Sequence, residues 1–121
     1  MIGYVTLGTN DLPRAAKFYD ALLGLIGAKR SMEYERSIAW SNGGAAVAVN
    51  KPFDGKAATV GNGVMVALAA GNKESVNALY RKALELGGKD EGPPGPRGTG
   101  GFYAAYFRDL DGNKLCAFHF G

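Results

Sequence analysis

The sequence predicts an α+β fold in which a βαβββ module occurs twice, and two observations indicate it. The first half of the chain carries the signals of a strand, a helix and three further strands, in that order. The second half repeats these signals, since an offset of 61 residues places Val5 on Val66 and Leu7 on Leu68. A repeat of about 60 residues is too long for a solenoid unit and suits a duplicated module.

The first module is predicted at about residues 1–52. Residues 3–8 are rich in β-forming side chains and predict a strand. Asn10 or Asp11 can cap the helix that follows, and Pro13 falls in its first turn, where a missing N–H costs little. Apolar residues at helical spacing and the glycines that end the helix complete this signal: Ala15, Phe18, Leu22 and Leu25, then Gly24 and Gly27. Three short strands are predicted at 29–34, 36–41 and 44–50, with a tight turn at Asn42-Gly43-Gly44.

The second module is predicted at about residues 62–121, after a polar connection at about 53–61. An apolar strand at 63–70 opens it. Asn72 can then cap a helix that runs to about Leu86, before two glycines. The apolar stripe of this helix comprises Val76, Leu79, Ala83 and Leu86.

A glycine-containing turn is predicted near the end of each module. An offset of 69 residues places Asn42-Gly43 on Asp111-Gly112. Asp111-Gly112 can adopt the left-handed angles of a two-residue hairpin at little cost. Asp109 and Asn113 can bond the backbone of the same turn. The motif is therefore expected to be structural.

Composition excludes several classes of partner. The chain of 121 residues is 46% hydrophobic and 21% charged, as in a single soluble globular domain. No run approaches the roughly 20 apolar residues of a membrane span, and no secretory signal opens the chain. The formal charge of +3 comes from scattered residues, without the basic stripe of a nucleic-acid surface. Cys116 is the single cysteine, which fits a reducing, cytoplasmic compartment.

Three segments, residues 4–24, 61–95 and 102–120, carry a resemblance to a known family. The most specific piece is the motif Arg-Asp-x-Asp-Gly-Asn at 108–113. In these segments the chain resembles the glyoxalase, bleomycin-resistance and extradiol-dioxygenase superfamily, also called the vicinal oxygen chelate fold. The resemblance implies that the modules form a half-open, curved β-sheet barrel around a cleft, with the helices outside. A second subunit often completes the cleft, and exposed strand edges also favour pairing, so we expect a homodimer.

The resemblance also implies where metal ligands would lie, namely on the first and last strand of each module. Carried over, these positions are Tyr4, Val47, Met65 and Cys116, none of which is His, Asp or Glu. His119 is the single histidine, so one chain cannot supply two His and a carboxylate. We therefore expect no metal and no cofactor, and a structural role for His119.

A ligand pocket for an apolar or aromatic small molecule is the alternative use of these positions. Its floor would be mostly apolar, its walls aromatic, and Arg36 or Arg97 would clamp an anionic group. The pocket candidates are Tyr4, Trp40, Val47, Met65, Arg97, Tyr103, Cys116 and Phe118. The competing interpretation is that these side chains fill the space as core.

The segment Glu91–Gly101 is rich in glycine and proline and does not match a phosphate-binding loop. We expect it to be a mobile flap beside the cleft. Cys116 has no visible base to activate it, so an inert buried thiol is favoured over a nucleophile.

Three functions remain open at this point. The leading prediction is a metal-free protein that binds a small apolar or aromatic molecule. The second is a divergent lyase, isomerase or dioxygenase-like enzyme, for which Glu33 and Glu35 are the candidate carboxylates; solvated edge charges are the simpler interpretation of that pair. The third is a structural or subunit-interaction role in which side chains close the cleft.

Overall fold

The structure, a computed structural model, describes residues 1–121 and divides into two units, residues 1–61 and 62–121. Each unit contains one helix and four strands in the order βαβββ. The four strands of each unit form one mixed sheet, and neither sheet closes on itself. The predicted α+β fold with two βαβββ modules is confirmed.

The first unit opens with the predicted strand and helix. Asp11 is the N-cap, because its side chain accepts a hydrogen bond from the backbone N–H of Arg14 at 3.1 Å. In the sheet order β1-β4-β3-β2, β1 runs parallel to β4 and the other pairs are antiparallel. The elements are β1 Tyr4–Gly8, α1 Leu12–Gly24, β2 Lys29–Tyr34, β3 Ser37–Ser41 and β4 Ala46–Asn50.

Helix α1 covers one face of the first sheet. The predicted helical stripe is buried up to Leu22, but Leu25 is the C-cap and is 44% exposed. The stripe therefore ends one turn earlier than the sequence pattern suggested. The buried side chains of this core are Leu12, Ala15, Ala16, Phe18, Tyr19, Leu22 and Leu23 from α1, and Leu7, Ile38, Trp40 and Val49 from the sheet.

The second unit repeats this plan. Asn72 is the N-cap of its helix and accepts from the N–H of Ser75 at 2.8 Å. Val76, Leu79 and Ala83 are fully buried, as their spacing predicted. In the order β5-β8-β7-β6, β5 runs parallel to β8. The elements are β5 Val66–Ala69, α2 Lys73–Glu85, β6 Lys89–Pro96, β7 Phe102–Arg108 and β8 Lys114–Phe120.

Much of the predicted flap is an ordered strand. Residues 91–96 belong to β6, which pairs antiparallel with β7 through irregular register. Strand β6 contains three prolines, Pro93, Pro94 and Pro96, which an edge strand with irregular pairing tolerates because fewer of its N–H groups are needed by a neighbouring strand. The prediction of a mobile flap is wrong for this part, and only residues 97–101 connect β6 to β7.

The turn between β7 and β8 is held by a buried carboxylate. Asp109 is 4% exposed, and its Oδ1 accepts from the N–H groups of Asp111 and Asn113, both at 2.9 Å. Its Oδ2 accepts from Nδ2 of Asn113 at 2.9 Å. The connection covers residues 109–113, so the predicted two-residue hairpin is wrong. Asp109 makes the predicted bonds to the backbone of the turn, whereas the amide of Asn113 donates to the Asp109 side chain.

Candidate functional site

Each sheet has one face covered by its helix and one turned away from it, which we call the helix-free face. Residues that pair directly on neighbouring strands point to the same face. Cys116 pairs with both Ala67 and Tyr106, so these three side chains share a face. Their neighbours in β8, Leu115 and Ala117, are fully buried on the opposite face beneath α2. Cys116 and Tyr106 therefore lie on the helix-free face of the second sheet.

Trp40 belongs to the core and not to a ligand pocket. The side chain is 2% exposed, and its ring lies 5.6 Å from the ring of Tyr19 in α1. Its Nε1 donates to Oδ1 of Asp20, also in α1, at 2.8 Å. Val47 pairs directly with Trp40 and so shares the helix-covered face. The assignment of Trp40 and Val47 to the pocket is wrong.

The error at Val47 arose because the corresponding loops of the two units differ in length by one residue. The connection between β3 and β4 has four residues and that between β7 and β8 has five. Thr6 pairs with Ala48 as Ala67 pairs with Cys116, so the last strands correspond with an offset of 68 and not 69 residues. Ala48 is thus the counterpart of Cys116. A shift of one residue moves every side chain to the other face of a strand.

Tyr103 also faces its helix. Its hydroxyl donates to Oδ1 of Asn77 in α2 at 2.7 Å, and it pairs with His119 across the sheet. The hydrogen bond explains how a tyrosine fits beneath a helix, because its polar end finds a partner there. The assignment of Tyr103 to the pocket is wrong, and His119 lies on the same helix-covered face.

The positions that would hold a metal ion do not fit one. With the corrected register they are Tyr4 and Ala48 in the first unit and Met65 and Cys116 in the second. An alanine donates nothing, a thioether is a weak donor, and neither unit gathers three His, Cys, Asp or Glu side chains. Borderline and hard divalent ions prefer imidazole and carboxylate ligands, which these positions lack.

The remaining candidates of the first unit and of β5 are exposed. Tyr4 lies on the helix-free face of the first sheet, opposite Ala46, and is 64% exposed. Met65 precedes β5 by one residue and is 42% exposed. Met65 offers apolar contact area, whereas Tyr4 also carries a hydroxyl that can donate or accept a hydrogen bond.

The helix-free face of the second sheet carries a cluster of aromatic rings. Phe118 follows Cys116 on this face, and Phe102 and Phe120 pair across β7 and β8. The ring centroid of Phe102 lies 5.9 Å from that of Phe118 and 4.8 Å from that of Phe120. Such separations are those of interacting aromatic pairs. Phe120 remains 62% exposed, so the cluster presents apolar surface.

Two cations flank Tyr106 on the same sheet. The guanidinium carbon of Arg97 lies 5.4 Å from the ring centroid of Tyr106, and Nζ of Lys114 lies 5.6 Å from it. Arg97 donates to the carbonyls of Pro93 and Gly95, at 2.7 and 2.9 Å. Neither Arg97 nor Lys114 has a carboxylate oxygen within 4.0 Å, although the hydrogen bond from Arg108 and, to a smaller extent, the charge of Lys114 lower the pKa of Glu91.

Cys116 pairs directly with Tyr106 across β7 and β8. It is 1% exposed, and burial raises the pKa of the Cys116 thiol above its ordinary value. A hydrogen bond with Tyr106 and the charges of Arg97 and Lys114 oppose this rise without reversing it. A thiol held neutral is a poor nucleophile, so Cys116 contributes packing to the site.

We expect iodoacetamide to modify Cys116 more slowly in the folded chain than in urea, at every pH from about 7 to about 10. The folded thiol has the raised pKa, so it reaches a given thiolate fraction only at higher pH. Replacing Tyr106 with phenylalanine removes a contact that lowers the pKa, and the folded profile should then move further upward. Identical pH profiles for the folded and unfolded chains would contradict the raised pKa.

Sequence reasoning missed Tyr106, Lys114 and Phe102. The alternation of β8 starting from Cys116 was sufficient to place Lys114 and Phe118 on one face. To predict that Phe102 and Tyr106 of β7 lie beside these residues, the register between β7 and β8 had to be known, and that register depends on the length of the turn. No helix of the chain is long and apolar enough to cross a membrane.

Comparison with known proteins gives one family. The Glyoxalase/Bleomycin resistance protein/Dioxygenase superfamily matches residues 1–117. A crystal structure of a glyoxalase/bleomycin resistance protein from Albidiferax ferrireducens T118 is 38% identical, with a TM-score of 0.92 and 98% of each chain covered. A hypothetical protein from S. aureus is 27% identical, with a TM-score of 0.76 over 98% of this chain and 91% of that one.

A more distant similarity shows the fold alone. Lactoylglutathione lyase from Agrobacterium tumefaciens is 19% identical, with a TM-score of 0.72 over 98% of this chain and 92% of that one. The curated proteins contain no match to this chain.

Proposed function

The chain belongs to the Glyoxalase/Bleomycin resistance protein/Dioxygenase superfamily, and within it we propose that this protein binds a small aromatic anion without a catalytic metal ion. The observation that carries the proposal is the pair of cations at Tyr106, beside the aromatic rings of the second sheet. The proposed binding surface consists of Phe102, Tyr106, Phe118 and Phe120, with Arg97 and Lys114 at its edge.

The rings support an aromatic ligand. An aromatic pair contributes about 0.5–1.5 kcal/mol beyond the area that it buries, and Phe120 is exposed enough to contact a ligand. A small-molecule site is usually lined by apolar side chains with a few polar groups that orient the ligand.

The charges support an anionic group on that ligand. Arg97 donates to three backbone carbonyls, those of Pro93, Gly95 and Pro96, which orient its guanidinium without neutralising it. Nζ of Lys114 lies 5.6 Å from the centroid of the same tyrosine ring. A carboxylate near either cation gains a charge-assisted hydrogen bond, whereas a cationic ligand would be repelled.

The residues present favour binding over catalysis. Tyr4, Ala48, Met65 and Cys116 supply neither imidazole nor carboxylate, which supports the absence of a catalytic metal ion, and the single histidine lies on the helix-covered face of its sheet. Cys116 keeps its proton because its pKa is raised. The nearby carboxylate of Glu91 is paired with Arg108 at 2.7 Å, and the hydrogen bond and charge of that arginine hold the pKa of the carboxyl below its ordinary value.

We expect 1-naphthoate to bind more tightly than 1-naphthamide, which has the same ring and no charge, in isothermal titration calorimetry. Lys114→Gln should weaken naphthoate binding about tenfold, the usual value of a hydrogen bond to a charged group, and leave naphthamide binding unchanged. EDTA should have no effect on binding of either compound.

Lys73 provides a matched control. Its Nζ lies 5.6 Å from the ring centroid of Tyr103, the same distance as Lys114 from Tyr106, but Tyr103 faces the helix. Lys73→Gln should leave naphthoate binding unchanged. Equal losses in the two lysine variants, equal affinity for the two compounds, or loss of binding in EDTA would each contradict the proposal.

We also propose that the protein is a homodimer in a reducing cytoplasm. Strands β1 and β5 are sheet edges, and large apolar side chains near them are exposed, among them Ile2, Val64 and Met65. Pairing of two copies would cover such edges and side chains. Sedimentation equilibrium should give twice the mass of the chain, and a monomer at high micromolar concentration would contradict the proposal.

A further inference from the structure

The first unit contains a pocket far in sequence from the aromatic surface of the second sheet. It has a volume of about 250 Å³ and lies where β1 and β4 end and the following loop begins. Five polar residues that line it are Thr9, Asn10, Arg36, Lys51 and Lys56. Thr9 is fully buried at its base, and the three cations are exposed at its rim.

The charge of this pocket is of one sign. Arg36, Lys51 and Lys56 all line it, no acidic side chain does, and none of the three forms an ion pair. Three acidic residues are near the lining residues in sequence but do not line the pocket themselves: Asp11, Glu35 and Asp54. Asp11 accepts from the backbone N–H of Arg14 at 3.1 Å, and Asp54 accepts from that of Lys56 at 2.9 Å. Three unneutralised cations around one small cavity repel one another, and a bound anion would remove that repulsion.

Backbone hydrogen bonds hold the two strand ends of the pocket in place. The N–H of Thr9 donates to the carbonyl of Asn50 at 3.0 Å, which ties the end of β1 to the end of β4. The N–H of Lys51 donates to the carbonyl of Arg36 at 2.9 Å. Two of the three cationic residues are therefore linked through their own backbone.

The loop that closes the pocket is held equally well. Asn10 contacts Ala58 twice, since its Oδ1 accepts from the N–H at 2.7 Å and its Nδ2 donates to the carbonyl at 3.3 Å. A guanidinium N–H of Arg36 donates to the carbonyl of Pro52. The loop thus keeps its shape without a ligand, and binding would cost little ordering of the backbone.

We propose that this pocket binds a phosphate-type oxyanion, either free or as the phosphate group of a small ester. The volume accommodates a tetrahedral oxyanion with room for a substituent. Arg36 has guanidinium N–H groups beyond the one bound to Pro52, and Lys51 and Lys56 each carry three donors. Paired and multiple charged donors are the arrangement that phosphate oxygens favour.

The test is a titration of ¹⁵N-labelled protein with inorganic phosphate, followed by amide chemical shifts, at an ionic strength kept constant with sodium chloride. We expect saturable shifts at Thr9, Asn10, Lys51 and Lys56. The double variant Lys51→Gln, Lys56→Gln should weaken phosphate binding at least about tenfold. Arg36 is left intact because its side chain also anchors the loop.

The control is the double variant Lys29→Gln, Lys89→Gln, which changes the net charge equally at exposed lysines outside the pocket. It should bind phosphate as the unsubstituted protein does. Non-saturating shifts, or equal weakening in both double variants, would overturn the proposal, because both indicate general screening of surface charge.

A second titration with AMP distinguishes the two sources of the phosphate group. Tighter binding of AMP than of phosphate supports an ester ligand, and equal or weaker binding supports the free oxyanion. If neither titration gave saturable shifts at the pocket, both the free oxyanion and the ester would be ruled out as ligands. The naphthoate titration of Lys114→Gln concerns separate residues, so either proposal can fail alone.

Discussion

Replacing Trp40 with alanine should lower the free energy of unfolding by about 3–5 kcal/mol, the usual cost of removing a large buried aromatic side chain. The indole is almost fully buried against Tyr19, and the substitution also removes the bond from its Nε1 to Asp20. Since Trp40 is the single tryptophan, urea unfolding is best followed by circular dichroism. Trp40→Phe keeps most of the ring and should cost less.

Tyr34 is the matched control for this result. It lies on the neighbouring strand β2 and is 67% exposed, so Tyr34→Ala should change the stability by less than about 1 kcal/mol. The result would be different if Trp40 lined a ligand site. In that case Trp40→Ala would fold with nearly unchanged stability and would lose naphthoate binding instead, and that outcome would contradict the core assignment.

Replacing Asp109 with alanine is the second substitution for which we expect a large effect. Three donors of the turn would lose their acceptor. They are the backbone N–H groups of Asp111 and Asn113 and the side-chain amide of Asn113. Each buried donor left unsatisfied costs about 1–3 kcal/mol, so a loss of about 3 kcal/mol or more is expected in urea unfolding. Asp109→Asn keeps the Oδ1 acceptor and should recover much of the loss.

Asp54 provides the comparison that separates burial from the turn itself. Its Oδ1 also accepts from a backbone N–H two residues later, but the site is exposed and water can replace the carboxylate. Asp54→Ala should therefore cost less than about 1 kcal/mol. Equal losses of stability in the Asp54→Ala and Asp109→Ala variants would contradict this expectation, because burial of the turn between β7 and β8 would then contribute nothing.

Local signals were sufficient for the elements of this chain. Asn72 caps its helix as predicted, and Asp11, one of two candidates with Asn10, caps the other, because an N-cap is decided by residues within one turn of it. The strand at 29–34 has the predicted bounds. The βαβββ order followed from these elements and from their repetition. The segment 91–96 was misassigned because proline and glycine signal a loop unless an edge position removes their cost.

The candidate site depended more on tertiary structure. Strand alternation was enough to show that Cys116 and Phe118 share a face and that His119 takes the other, and the composition was enough to show that the chain has one histidine. Both can be read without knowing which strands pair. Only the tertiary structure decided that Val47 faces a helix, since one residue in a turn sets the register of a whole strand. It also decided that Arg97 and Lys114 meet at Tyr106, because that contact joins three strands whose pairing no local pattern specifies.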